Sequence, residues 1–317
     1  MRVALVGGSG LVGRALMARL VARGDAVVVL DCVRPRGNAS FVSVDLLAAD
    51  AEQQVRQAFV AHHVDAVVHL AARVNPPGNV AERAAMQRLH HEGTSAVARA
   101  ATATQVRRFV LVSSAVVYGA WPDNPVPLPT TAPIRPRDLP YAVDKALQER
   151  VCRAAVADDV LSIVRPAIIY AADAHNYLTE ILRRARLPGL SIGLLPALDG
   201  CRPPLQFVHV DDVADVIAAS LSAPTGTYHA ASSDWLAYND VARAAGLRVV
   251  DVPSRWAGAL VEALLPLMPP SLRAPRALFP YLMHPFVLDM APTSAALGVT
   301  PRWSSAQALG AMLGRPS

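Results

Sequence analysis

Two patterns alternate along the first 115 residues. Short apolar runs, many of them β-branched, recur at Val3-Ala4-Leu5-Val6, Ala26 to Leu30, Phe41 to Val44, Ala66 to Leu70 and Arg108 to Val112. Between them, Gly13 to Arg23, Glu52 to His62 and Ala81 to Thr104 place apolar residues three and four apart, the spacing of amphipathic helices. A strand that is apolar at every position must be covered on both faces. Helices that alternate with such strands supply the cover, so the pattern predicts an α/β fold with a doubly wound parallel sheet.

The pattern then changes. Trp121 to Pro140 holds seven prolines, which excludes a helix interior or a central strand there. Tyr141 to Ala157 reads as a helix with Pro140 near its start, and Leu161 to Val164 as another strand. Beyond Arg165 the periodicity weakens. Asn176 to Arg186 looks helical, Leu187 to Pro204 turn-rich, and Phe207 to Val210 is a short strand leading into a helix at Asp211 to Leu221. Pro253 to Pro285 is apolar and broken by proline. These shifts predict a nucleotide-binding domain at 1–165 and a smaller C-terminal substrate lobe at 166–317, with 207–221 returning to the first domain.

Composition narrows the class. The 317 residues are 53% hydrophobic and 17% charged, which excludes a disordered chain. Three scattered cysteines, Cys32, Cys152 and Cys201, form no C-x-x-C pair, which argues against a disulfide framework and fits a reducing cytoplasm. The net charge of +5 raises nucleic acid as a partner, but the arginines are dispersed rather than gathered into a stripe, so none is expected. The N-terminal apolar run is too short for a signal peptide, and no stretch reaches the ~18 apolar residues of a membrane span. The histidine pairs His62-His63 and His90-His91 lack carboxylates at ligand spacing, so no metal is expected.

Two motifs carry chemistry. Gly7-Gly8-Ser9-Gly10-Leu11-Val12-Gly13 follows a strand and opens a helix. Glycines there permit a tight turn and close approach of a pyrophosphate to free N–H groups at the helix start, which makes a Rossmann-type dinucleotide site. Asp31 closes the second strand, where a carboxylate accepts both ribose hydroxyls and repels a 2′-phosphate. NAD is therefore preferred over NADP, although Arg34 and Arg36 lie close enough to serve a phosphate instead. The second motif joins Ser113-Ser114, at a strand end, to Tyr141 and Lys145, one helical turn apart on the same face. A phenol of ordinary pKa near 10 is a poor base at neutral pH. A neighbouring ammonium and a cationic nicotinamide both favour the phenolate and together are expected to lower that pKa. A Y-x-x-x-K spacing by itself is common on solvated helix faces; its weight comes from the glycine loop and serine-rich strand end beside it.

Taken in order, the glycine loop, Asp31, Asp45-Leu46, His69-Leu70-Ala71-Ala72, Gly93-Thr94, Ser113 to Gly119, Tyr141 to Lys145, Arg165-Pro166, His209 to Ala214 and Leu297-Gly298 resemble the extended short-chain dehydrogenases/reductases of the NAD-dependent epimerase/dehydratase family. The resemblance runs nearly end to end. It implies Ser114, Tyr141 and Lys145 as a catalytic trio, with Lys145 also holding the nicotinamide ribose. It implies Asp45 and Leu46 beside adenine, and Leu70, Ala71 and Ala72 along the cofactor path. A homodimer through Ala81 to Thr104 and Tyr141 to Ala157 is a further expectation of the resemblance.

The departures bear on substrate. His90-His91 stand where the family often has Asn-Val. Members acting on nucleotide sugars carry phosphate-binding arginines where this chain has Leu205 and the segment Leu278 to Tyr281. A pyrophosphate is poorly held without such partners. The chain is therefore expected to transfer a hydride between NAD and a secondary alcohol or ketone of a largely apolar small molecule. Candidate substrate contacts are Ser114, Tyr170, His175 and Trp256, and Trp256, Leu260, Leu264, Phe279, Tyr281 and Phe286 are candidates for an apolar wall. An NAD-dependent epimerase or dehydratase acting on a sugar or nucleotide sugar is the alternative. A non-catalytic binding protein on the same scaffold is a third possibility, opposed by the joint presence of Ser114, Tyr141 and Lys145.

Overall fold

The computed structural model describes residues 1–73, 80–171, 193–256 and 276–313. Seven strands form one parallel sheet: β1 (Arg2–Val6), β2 (Ala26–Asp31), β3 (Ser40–Ser43), β4 (Ala66–His69), β5 (Arg108–Val112), β6 (Leu161–Pro166) and, late in the chain, β10 (Thr227–Ala230). Their spatial order is β10-β6-β5-β4-β1-β2-β3. Register is continuous across the middle, with Val3 opposite both Val27 and Ala66. Residues along β1 alternate between two cores. Ala4 and Val6 join Val55 and Phe59 of α2 (Ala51–Ala61) and Val97 and Ala101 of α4 (Thr94–Ala103). Val3 and Leu5 join Leu16 and Leu20 of α1 (Leu11–Ala22) and Val213 and Ile217 of the helix Val210–Ser220. This two-sided burial is why β1 has no polar position after Arg2.

After β1 the chain winds toward β3, and after β4 it winds the other way. The loops leaving β1 and β4 therefore part at a switch point, leaving a crevice at the carboxyl ends of the strands. Further along, β5 leads into a short 3-10 turn, Ala115–Tyr118, and then through the proline-rich loop into α5 (Pro140–Ala155), whose first residue is proline. Two smaller parallel pairs build the C-terminal lobe: β7 (Ile168–Tyr170) with β9 (Phe207–His209), and β8 (Gly193–Leu198) with β11 (Leu247–Val252).

Three expectations change. The region 81–104 is not one helix: α3 (Val80–Arg88) and α4 are joined by a π-helical turn, Leu89–Gly93. Within the supposed turn-rich stretch, Gly193–Leu198 is a strand, its glycine and Pro196 tolerated because β8 pairs on one side only. Of the segment 207–221, the strand Phe207–His209 pairs with β7 and not with the main sheet, whose last strand is Thr227–Ala230, while the helix Val210–Ser220 packs on the main sheet. Asn176 to Arg186, His175 and the apolar run after Trp256 lie outside the described residues. No helix among the described residues is long and apolar enough to cross a membrane.

Candidate active site

The glycine loop leaves β1 at Gly7, whose φ of +80° requires glycine; a Cβ there would also lie 2.5 Å from the backbone of Ala71. The loops after β1 and β4 are thus in direct contact at the switch point. A Cβ on Gly13 would overlap the carbonyl oxygen of Gly8, so helix α1 packs against its own entry loop. Gly10 differs, since a Cβ there would meet nothing nearer than 3.8 Å. Protein packing does not demand glycine at that helix start. Open space over free N–H groups fits a pyrophosphate. Leu11 and Val12 begin α1, both partly buried against the cluster of Ala171 and Val210.

Asp31 lies partly buried at the end of β2. Its carboxylate accepts hydrogen bonds from the Ser9 N–H at 3.0 Å and the Val33 N–H at 3.1 Å, which fix its orientation beside the loop. The rival cation Arg34 is stacked over Phe41, 4.6 Å from the ring centroid. Asp45 is exposed and accepts from the Leu47 N–H, while Leu46 is buried and its Cβ would lie 3.1 Å from a Cβ on Gly93. Leu70 continues the β4 backbone, its N–H donating to Val6. Ala71 and Ala72 follow it along the crevice floor, half-buried.

Ser114 stands just past β5 in extended backbone and caps the 3-10 turn. Tyr141 and Lys145 face it from the first turns of α5, with the Ser114 hydroxyl placed to favour the Tyr141 phenolate. The Lys145 ammonium is only 2% exposed; it donates to the Val112 carbonyl at 2.9 Å and lies 5.9 Å from the centre of the Tyr141 ring. Burial lowers its pKa to about 8, against the opposing pull of Glu149. Burial also pushes the Tyr141 phenol above its ordinary value, with only the Ser114 hydrogen bond opposing. Without a cationic nicotinamide, the nearby ammonium alone does not bring the lowering expected of the two together. Desolvation wins, and the free protein holds Tyr141 protonated, ready to donate.

Behind this pair lie polar residues that sequence spacing did not single out. Asp144, Gln148 and Glu149 share the face of α5 with Tyr141 and Lys145, at three-, four-, seven- and eight-residue steps. That spacing was the available signal. Glu149 accepts from Ser113 at 2.6 Å and from two nitrogens of Arg165 at 2.8 and 2.6 Å. Arg165 also donates to the Tyr118 oxygen at 2.6 Å. The His229 Nδ1 donates to the Asp289 carbonyl, so its Nε2 accepts from the Tyr118 hydroxyl at 2.6 Å.

The remaining substrate candidates are dispersed. Tyr170 is wholly buried, edge-on to Phe207 with ring centroids 5.4 Å apart, in the core of the C-terminal lobe rather than on an open wall. Trp256 is 65% exposed and His175 lies outside the described residues. Tyr281 approaches the trio: its hydroxyl donates to the Val116 carbonyl at 3.2 Å, and its ring packs edge-on against Phe286. Leu205 is buried with Tyr170 and Phe207.

A profile of the NAD dependent epimerase/dehydratase family matches residues 3–231. The chain is 31% identical over 326 aligned residues to an uncharacterized protein, y4nG, of Sinorhizobium fredii (strain NBRC 101917 / NGR234), covering 96% of this chain and 76% of that protein. It is 30% identical to a 3-diazoavenalumate denitrifying reductase of Streptomyces sp, covering 74% and 79% of the two chains. In fold it is similar to the UDP-glucose 4-epimerase of Thermus thermophilus, solved in complex with NAD, at a TM-score of 0.73 and 24% identity over 99% and 98% of the chains.

Proposed function

We propose, for a chain that belongs to the NAD-dependent epimerase/dehydratase family, that it binds NAD in the crevice between the loops after β1 and β4 and uses Tyr141 as the acid/base in hydride transfer at a secondary alcohol or ketone carbon. The observation that carries this reading is the convergence of Ser114, Tyr141 and Lys145, on a helix whose Gln148 reaches the Ala71 carbonyl next to the glycine cradle. Bound NAD supplies or accepts the hydride. Ser114 and Tyr141 both hydrogen-bond the substrate oxygen. As the carbonyl is reduced, Tyr141 gives its proton to that oxygen; in the reverse direction it takes the proton from the hydroxyl. The Lys145 ammonium stabilises the phenolate left behind. Asp31, pinned by Ser9 and Val33, accepts the adenosine ribose hydroxyls and disfavours a 2′-phosphate.

Net oxidation or reduction of a largely apolar substrate is the first reading. Leu205 supports it, because its side chain is buried in the lobe core and offers no phosphate contact. A named reductase among the relatives points the same way. Epimerisation of a sugar or nucleotide sugar is the second reading, favoured by the full-length likeness to a UDP-glucose 4-epimerase. The experiment is a turnover screen over secondary alcohols, ketones and UDP- and dTDP-sugars, with NADH absorbance and product isomers followed together. Net NADH change with apolar compounds supports the first reading. Isomerisation of a nucleotide sugar without net NADH change establishes the second and overturns the first.

A further inference from the structure

His90 sits in the π-helical turn between α3 and α4, fully buried. A π turn inserts one residue into a helix and re-aims a side chain, and such turns gather at functional sites. Here the ring is directed between the loop after β4 and the helix α5. The backbone N–H of Arg73 donates to its Nε2 at 3.0 Å, and its Nδ1 lies 3.1 Å from the Asp144 carboxylate. These partners leave one proton arrangement. An amide N–H can only donate, so Nε2 is bare; a carboxylate can only accept, so Nδ1 carries the proton. Arg83 of α3 completes the cluster with two bonds to Asp144, at 2.7 and 3.0 Å.

The two ends of this bridge matter. Arg73 follows Ala71, the residue whose backbone presses on Gly7, and Ala72. Asp144 is adjacent to Lys145 and one turn from Tyr141, and the Tyr141 ring stands edge-on to His90 with centroids 6.4 Å apart. Gln148, one turn further on, makes a weaker second tie by donating to the Ala71 carbonyl at 3.4 Å. The acid/base helix thus holds the loop after β4 at two points.

We propose that His90 is a positioning residue that locks the loop Leu70 to Arg73 onto the helix bearing Tyr141 and Lys145, and so sets the spacing between the NAD crevice and the proton donor. The proposal rests on the reading of Leu70 to Ala72 as part of the cofactor crevice. A rigid ring with its donor and acceptor on opposite edges suits the task. An amide side chain carries both on one carbon and reaches one partner at a time.

That difference supplies the test. NAD is titrated against the full-length protein without substrate, by calorimetry, for wild type, His90→Asn, His90→Gln and Asp31→Ala, with thermal midpoints measured alongside. The shorter His90→Asn reaches Asp144 and abandons the Arg73 N–H, so its NAD affinity falls about tenfold, the equivalent of one lost hydrogen bond. The longer His90→Gln reaches Arg73 with its carbonyl and stays within about threefold of wild type. Wild-type affinity in His90→Asn, or equal losses in both variants that track their thermal midpoints, overturns the lock. Amide exchange at Arg73 tests it without any variant: protection in the NAD-free protein is expected, and free exchange overturns the proposal. Asp31→Ala judges the crevice separately, because undiminished NAD binding there defeats the assignment of the site and not the lock.

Discussion

Two buried polar clusters flank the acid/base helix, and they are built differently. On the side of β10, Glu149 and Arg165 have side chains only 1% and 3% exposed, and their hydrogen bonds run through Tyr118 and His229 to end on the Asp289 carbonyl. On the side of the cofactor crevice, Asp144 is equally buried, but its counter-ion Arg83 is 28% exposed. The first cluster is closed. Each charge depends wholly on a partner that water cannot replace, because an unpaired ion in so dry a place is expensive. The second is open at one end, so solvent can partly take over from Arg83. The closed cluster thus holds the fold together and the open one is placed to tune the site, with Tyr141 and Lys145 between them.

The largest effect expected along this helix belongs to neither cluster. Tyr141→Phe removes the hydroxyl that exchanges the proton, which should lower turnover by roughly 10²–10⁴-fold while NAD affinity and thermal midpoint stay near wild type. Turnover at the wild-type level would remove Tyr141 from the mechanism. Glu149→Gln comes next and tests the closed cluster. It leaves the Arg165 guanidinium buried without its carboxylate, a loss of about 3–5 kcal/mol in unfolding free energy by urea titration. A fall below about 1 kcal/mol would mean that water reaches Arg165 and that the two clusters do not differ in kind.

The contrast also explains what was legible in the sequence. Strands β1, β2, β4 and β5 are buried on both faces, so their sequences are unbroken apolar runs that only one kind of sheet can absorb. The glycine loop and the Tyr141–Lys145 spacing are local motifs, readable because all their geometry lies within one turn or one helix. The last strand of the sheet, Thr227-Tyr228-His229-Ala230, was not readable: the His229 ring joins the buried network through Tyr118 and the Asp289 carbonyl, and the Thr227 hydroxyl accepts from Arg153, all partners distant in the chain. His90 was set aside for want of metal-ligand spacing. Its departure from the family's Asn-Val was visible, but its partners, Arg73 and Asp144, lie 17 and 54 residues away, so no local pattern shows what it bonds. Tyr170, named as a candidate substrate contact, is a core residue instead. Its place beside Phe207 depends on β9, which only the folded chain brings alongside β7.

The smallest effect is the most discriminating, because it divides stability from chemistry at one residue. Asp144→Asn removes the charge of the open cluster but keeps a group that can accept from His90. Arg83 is then free to turn toward solvent, so the stability loss should be about 1–2 kcal/mol, below that of Glu149→Gln. Its electrostatic effect falls on Lys145, whose pKa burial has lowered to about 8 from an ordinary 10.5, and to whose ammonium Asp144 lends support. Between those two values the unfolded chain binds more protons than the folded one, so the Lys145 contribution to stability improves as pH rises through that window. Turnover that needs the ammonium moves the opposite way and declines as pH climbs through about 8. Removing the Asp144 charge weakens support for the ammonium, so the decline in turnover should begin at lower pH in Asp144→Asn than in wild type. A pH–rate profile of the two proteins, read beside their urea curves, measures both effects. An unmoved alkaline limb with a stability loss as large as that of Glu149→Gln would make the Asp144 cluster a second closed anchor and erase the distinction between the two sides of the helix.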